Sequence, residues 1–328
     1  MSSTPKIDLI DRKLIAELDK NCRISNTQLA KKLRKSREVV AYRVQKLEER
    51  GIITGFITSI NPTKFGQFMF KVYLKLENLP SERERFYAVL EQNKDIYWLG
   101  ICDGAYDCVF AILSKSILKY YETINNLLSE WRHLILQKVL GTMVDTKQLA
   151  KRFLINTEER SYVTFGSDVE HYNLDTLDLE ILNILVNNAR IPLLELARQL
   201  HSTIEIVRRR MNLLEQHKII LQYRIAVDLN KLGLEFFKAI IYCKALSRND
   251  EASLLEWMGQ QPQSLYYIRA LAPWELEFEF AVENYQEFNR IIANLRELFP
   301  SIIRNHEHLI MIKEMWMPGY KELIKVKS

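Results

Sequence analysis

The stretch from Asp8 to Gly66 constrains this chain most, because the chain contains it twice. IDLIDRKLIAELDKNCRISNTQLAKKLRKSREVVAYRVQKLEERGIITGF aligns without a gap on LDTLDLEILNILVNNARIPLLELARQLHSTIEIVRRRMNLLEQHKIILQY. The offset is about 167 residues, and roughly a third of the positions are identical. Identical pairs include Asp8/Asp175, Asp11/Asp178, Arg23/Arg190, Leu29/Leu196, Ala30/Ala197, Arg43/Arg210, Leu47/Leu214, Glu48/Glu215 and Gly66/Gly233. So long a period implies a duplicated multi-part unit rather than a solenoid array.

Each copy has the punctuation of three short helices followed by a strand. In the first, Ile7, Ile10, Leu14, Ile15 and Leu18 keep helical spacing behind a cap at Asp8 or Asp11. Ser25 or Asn26 opens a second helix, and Ser36 opens a third with Val40, Val44 and Leu47 on its inner face. The short gap between these two is that of a helix-turn-helix. Gly51 stops the third helix, and the chain continues extended. The second copy repeats the pattern with Val207, Met211 and Leu214 inward, and Ser202 with Glu205 predicts a capping box. Neither turn has the glycine often found there; Arg34-Lys35 and His201-Ser202 stand in its place.

At 328 residues the chain has room for several cores. Its net charge of +5 is uneven: residues 1–60 carry about +6 and residues 173–228 are about neutral. A positive helix-turn-helix is the footprint expected for a phosphate backbone. The polar MSSTPKID start predicts no signal peptide, and no apolar run reaches bilayer length. Cys22, Cys102, Cys108 and Cys243 show no CxxC spacing, so a reduced, cytoplasmic protein is expected.

After the first helical unit the period changes to that of strands at 68–76, 96–101, 108–113 and 134–144, with helices at 81–93, capped by Ser81, and over Ile117, Tyr120, Tyr121, Ile124 and Leu128. Strands at 236–245, 265–282 (a hairpin) and 302–315, with helices at 250–260 and 284–299, repeat the order. Strand, helix, strand, strand, helix, strand is the ferredoxin-like arrangement. The expected fold class is α+β, with two helix-turn-helix domains of winged type alternating with two ferredoxin-like domains as a pseudo-dimer. The boundaries read 1–60, 61–155, a polar linker at 156–172, 173–228 and 229–328.

A helix-turn-helix ending in RVQKLEERGIITGF, followed by a ferredoxin-like unit with GAYD at its central hairpin, resembles the Lrp/AsnC (feast/famine) transcriptional regulators. The resemblance covers nearly the whole chain, twice. Family members are single units that dimerise through their ferredoxin-like domains, so this chain is similar to a fused dimer, and higher homo-oligomers are implied as an option. Double-stranded DNA is the implied partner, and an amino acid or related small molecule the implied effector.

In each copy the third helix would enter the major groove. Helical spacing turns Arg37, Glu38, Ala41, Tyr42 and Gln45 outward in the first, and Ile204, Glu205, Arg208, Arg209 and Asn212 in the second. Arg, Gln and Asn suit guanine and adenine edges, and Glu accepts from cytosine. Lys31, Lys32, Arg34 and Lys35 suit phosphates. Arg43 and Arg210 read as structural, pairing with Glu48-type carboxylates. The effector motif carried by the resemblance is Gly104, Tyr106 and Asp107; the second copy has Ala272, Pro273, Trp274 and Glu275 there. Glu275, Glu277 and Glu279 line one strand face, which is expected to be solvated, the less favoured alternative being that it meets a partner cation or a basic surface of the first half. His306 and His308 share a side of their strand without an evident third ligand. No metal, cofactor or catalytic residue is expected. The alternatives are a fused siroheme decarboxylase-type enzyme, argued against by the lack of histidines in the central strands, or an assembly partner that does not bind DNA.

Overall fold

The computed structural model describes residues 7–155, 157–158, 160–166 and 172–316. Helices α1 (Leu9–Lys20), α2 (Asn26–Leu33) and α3 (Arg37–Glu49) lead into strand β1 (Ile53–Ile60). Asp8 and Ser25 begin the first two with reciprocal capping boxes to Asp11 and Gln28, and the Ser36 hydroxyl accepts from the Val39 amide to begin α3. There follow β2 (Phe68–Leu76), α4 (Pro80–Gln92), β3 (Ile96–Gly104), β4 (Cys108–Ser114), α5 (Ile117–Leu128), β5 (Ile135–Leu149) and β6 (Tyr162–Gly166). The second copy is α6 (Thr176–Leu185), α7 (Leu193–Gln199), α8 (Ile204–Gln216), β7 (Ile220–Val227), β8 (Glu235–Cys243), α9 (Arg248–Gln260), β9 (Ser264–Leu271), β10 (Leu276–Val282), α10 (Tyr285–Leu298) and β11 (Ile303–Trp316).

Several local expectations shift. Helix α4 starts at Pro80 with no side-chain cap, because proline's fixed φ and missing N–H suit the first helical position better than Ser81 suits the cap. Thr203, not Ser202, caps α8, its hydroxyl accepting from the Ile206 amide at 3.2 Å. Ile117 and Tyr121 of α5 are exposed, while Tyr120, Ile124 and Leu128 face the sheet. Of the expected linker, residues 156, 159 and 167–171 lie outside the described residues, but Tyr162–Gly166 is a strand paired with β5.

The strands close on themselves. The order β2-β4-β3-β11-β8-β10-β9-β5, with β5 returning to β2, makes a ring of antiparallel neighbours, and β6 adds outside β5. Two junctions join the copies: β5 with β9 (Thr142 opposite Leu271) and β11 with β3 (Met315 opposite Leu99). Both long strands switch partner midway, which is why β5 runs past Val144 to Leu149. Alternation then sorts the side chains. Phe70, Val72, Leu74 and Leu76 of β2 pack outward in the apolar cluster that includes Tyr120, Ile124 and Leu128 of α5. Phe237, Ala239 and Ile241 of β8, with Leu276, Phe278 and Phe280 of β10, pack in the cluster that holds Leu254 of α9 and Phe288 of α10. The opposite faces point into the ring, in a core continuous with the helical units.

The face expected to be solvated is inside that ring. Glu277 is 0% exposed and Glu279 5%. Their cations are Lys71 and Lys238, the matched residues of β2 and β8. Lys71 Nζ lies 2.8 Å and Lys238 Nζ 2.7 Å from Glu277 Oε2, and Lys238 also reaches Glu279 Oε1 at 2.7 Å. Tyr73 and Trp274 donate to Glu277 Oε1. The sequence shows the alternation but not closure of the sheet, and closure decides which face is wet. Burial works against ionising Glu277, yet the two ammonium groups hold its carboxyl well below the ordinary range. Its contribution to stability is therefore complete above the ordinary value of 4.5 and declines as pH falls beneath it. Glu277→Gln leaves two buried ammonium groups sharing Glu279 and is expected to destabilise the fold by about 3–5 kcal/mol. Lys71→Met/Glu277→Gln, which keeps Lys238 with Glu279, should recover most of that loss in urea denaturation; equal losses would contradict the assignment.

Candidate nucleic-acid interface

The two helix-turn-helix units are tied across the duplication. Strands β1 and β7 pair antiparallel, with Phe56 opposite Ile225 and Thr58 opposite Tyr223. Around this ribbon the contacts come in matched pairs. The Cys22 amide donates to Tyr223 O at 2.8 Å, and the Ala189 amide to Phe56 O at 3.0 Å. Arg23 lies over the Tyr223 ring at 5.4 Å and donates to the carbonyls of Ala189 and Ile191. Arg190 lies over the Phe56 ring at 5.0 Å and donates to Asn26 Oδ1 at 3.0 Å. The Arg23/Arg190 identity was visible in the sequence, but its role as a crossed lock was not, since each partner belongs to the other copy.

The outward residues are where helical spacing placed them. Arg37, Glu38, Tyr42 and Gln45 of α3 are exposed and Ala41 is half-buried. Tyr42 is 60% exposed, with the Lys46 ammonium 5.6 Å from its ring centre. The Gln45 amide donates to Glu49 Oε1 at 2.8 Å. Hydrogen bonds from its own backbone amide and from Ser36 hold the Glu38 carboxyl below its ordinary range, so it stays an acceptor. Lys31, Lys32, Arg34 and Lys35 are exposed at the end of α2 and in the turn, and Lys32 forms an ion pair with Glu17. On α8, Glu205, Arg208, Arg209 and Asn212 are exposed and Ile204 is half-buried. Without glycine, the turns hold Arg34 and His201 in left-handed conformation (φ 53° and 48°), at a cost of about 1–2 kcal/mol each.

Arg43 and Arg210 are structural, with partners other than Glu48-type carboxylates. Arg43 Nη1 lies 2.8 Å from Asp8 Oδ2 and 2.7 Å from Asp11 Oδ1. Arg210 repeats this with Asp175 at 2.5 Å and Asp178 at 3.5 Å. Each reading helix is thereby clamped to the capping box that starts its unit. Arg43→Met should lower stability by about 1 kcal/mol, since the pair is partly exposed. In a double-mutant cycle with Asp11→Asn the two losses should couple by a similar amount; strict additivity would rule the clamp out.

The residues proposed for an effector sit at the β3–β4 hairpin, and the fold uses all three. Gly104 has φ 117°, and a Cβ there would lie 2.5 Å from His308 O of β11. Tyr106 is buried against Tyr73 and Trp274, with ring centres 5.5 and 6.0 Å away. Asp107 accepts from the Leu76 amide at 2.7 Å, from Arg83 Nη1 at 3.2 Å and from Lys75 Nζ at 3.3 Å. In the second copy Glu275 accepts from the Cys243 amide, the residue matching Leu76, at 2.6 Å. A carboxylate at this position therefore fastens the hairpin to the first strand in both copies. On β11, His308 lies against Tyr285 and Phe288 of α10, on the helix side of the sheet.

Residues 7–54 match the winged helix-turn-helix DNA-binding family, and residues 174–215 match the AsnC-type helix-turn-helix domain. Over 132 residues the chain is 30% identical to the proline dehydrogenase transcriptional activator of Rhodobacter capsulatus, covering 40% of this chain and 86% of that protein. It is 36% identical over 124 residues to an HTH-type transcriptional regulator of Methanocaldococcus jannaschii, covering 38% of this chain and 80% of that protein. Among solved structures, siroheme decarboxylase NirDL, in co-complex with an iron-uroporphyrin III analogue, has a similar fold. The TM-score is 0.64 at 10% identity, over 97% of this chain and 96% of that one. So low an identity speaks to fold alone, whereas the two regulators are matched over most of their own length by less than half of this chain. The chain belongs to the Lrp/AsnC family of helix-turn-helix regulators.

Proposed function

We propose that this chain is a transcriptional regulator that grips double-stranded DNA with both heads at once and reads two unlike half-sites. The observation that carries this is the pairing of β1 with β7 under two reading helices whose exposed side chains differ. Arg37, Glu38, Tyr42 and Gln45 are the proposed base readers of α3; Glu205, Arg208, Arg209 and Asn212 are those of α8. Lys31, Lys32, Arg34 and Lys35 supply phosphate contacts to the first head only. The domain boundaries, with heads at 1–60 and 173–228 and sheet units between and after them, follow from the same reading, as does action in the cytoplasm. Among the described residues no helix is long and apolar enough to cross a membrane. An amino-acid effector, as the resemblance implies, would reach Asp107 by exchanging its ammonium group for Lys75 and Arg83.

The full-length fold likeness to siroheme decarboxylase NirDL supports a second, enzymatic reading. Absorbance on mixing with siroheme distinguishes it from regulation.

Selection of bound DNA from random duplexes is expected to return two dissimilar half-sites. Gln45→Ala should relax selection in one half-site and Arg209→Ala in the other, each at a cost of about 1–3 kcal/mol. Lys35→Ala should weaken all sequences alike and reduce the salt slope by about 1. A perfect inverted repeat, or no DNA enriched at all, would overturn the proposal.

A further inference from the structure

A cavity of about 220 Å³ lies where the first head meets the sheet. Ala16 and Asp19 of α1, Gln222 of β7, Gln148 of β5, and Lys151 and Arg152 just beyond β5 line it, so an occupant would touch the head and the sheet together. Its volume suits a small metabolite rather than a nucleotide.

The charge around it is unbalanced. Asp19 is buried, and its Oδ1 takes Lys151 Nζ at 2.5 Å and Arg224 Nη2 at 3.2 Å, two cations on one carboxylate. Gln222 donates to the carbonyls of Asp19 and Lys20, and Gln148 donates to Gln222 Oε1, so the amides are already engaged. Arg152 donates to Thr157 O at 3.0 Å and Gly259 O at 2.6 Å, and among the described residues it meets no carboxylate. Burial and the Arg224 charge hold the Lys151 ammonium down at about 8, as expected where positive charge exceeds negative in a confined space. Nothing in the duplicated fold requires this polarity, because the positions matching Asp19, Gln222 and Arg224 are Val186, Gly55 and Ile57. A surplus of cations at a partly open cavity, one of them a planar guanidinium that among the described residues is bonded to neutral carbonyls, is the chemistry that receives a carboxylate.

We propose that this cavity binds a small organic carboxylate, seated against Arg152 and Lys151, and that the bound anion fastens the first head to the sheet. Binding itself does not depend on the DNA reading; the fastening of a reading head does. Calorimetric titration of the full chain with acetate, succinate, glutarate and citrate, against chloride at matched ionic strength, is expected to show one saturable site per chain for at least one of them. Near pH 8 the bound anion keeps Lys151 protonated, so binding should take up protons and its heat should vary with the buffer's ionisation heat.

Arg152→Gln should weaken binding tenfold or more, and Arg152→Lys less. Ala16→Met should abolish binding by filling the space without altering charge. If Arg152→Gln loses its melting transition, Arg152→Lys and Ala16→Met carry the decision. No saturable heat from any of the four carboxylates, or wild-type binding by a folded Ala16→Met chain, overturns the site. In gel shifts the carboxylate should change DNA affinity by the same factor by which DNA changes carboxylate affinity. Binding without that coupling overturns the fastening. A chain that binds the carboxylate but no DNA leaves the site standing and defeats the regulatory reading instead.

Discussion

Glu277 is the group on which the joining of the halves depends. Lys71 and Lys238 are one residue in two copies, brought together inside the ring because the copies face each other, and both lie on Glu277. The matched positions on β4, Val109 and Ala111, carry no charge where β10 has Glu277 and Glu279. Two first halves would therefore enclose two ammonium groups with no acid, and two second halves would enclose two with four carboxylates. Each uncompensated ion would cost several kcal/mol. Only unlike halves balance, so the interior fixes the pairing at one of each, a ratio that fusion guarantees.

The same pairing governs the heads. What both copies keep is what holds a head together and to its neighbour: Asp8, Asp11 and Arg43 with their counterparts Asp175, Asp178 and Arg210, and the crossed Arg23 and Arg190. Among the positions that differ are exposed ones on α3 and α8, such as Tyr42/Arg209 and Gln45/Asn212, where neither packing nor capping restricts the residue. The frame is thus nearly two-fold while its reading surfaces are not.

Much of this was legible from local patterns, because capping residues, helical stripes and strand alternation act within a few positions. The three-helix units, the ferredoxin-like order and the outward set on each reading helix all rest on such signals. Some errors were local, and others came where one residue's role depends on something distant. Ser81 is a good cap, but Pro80 beside it is a better first residue. Glu277 and Glu279 alternate with Leu276, Phe278 and Phe280 as a solvated face would, and only closure of β5 on β9 and β11 on β3 puts them indoors. Asp107, expected to meet an effector, also accepts from the Leu76 amide and Arg83, and those contacts were not legible because both residues are far away in the chain.

Differences between the copies that bear on their pairing fall inside the ring, on the reading helices, and where the first head meets the sheet. In a dimer of identical chains each of these positions would be forced to carry the same residue twice, so a useful change on one side would be repeated, often harmfully, on the other. A second lysine-facing carboxylate pair would overload the interior with negative charge, just as a second buried Asp19 would need its own Lys151 and Arg224. Fusion removes that coupling. The first head is held through a buried ionic group around Asp19. At the matched place on the second head, Thr58 of β1 in the first head donates its hydroxyl to Leu185 O and its amide to Val186 O. An ionic attachment responds to an added anion and to pH, whereas bonds between a neutral hydroxyl or amide and backbone carbonyls do not. On the proposed reading, an added anion would act on the contact at Asp19 and leave the contact at Thr58 unchanged.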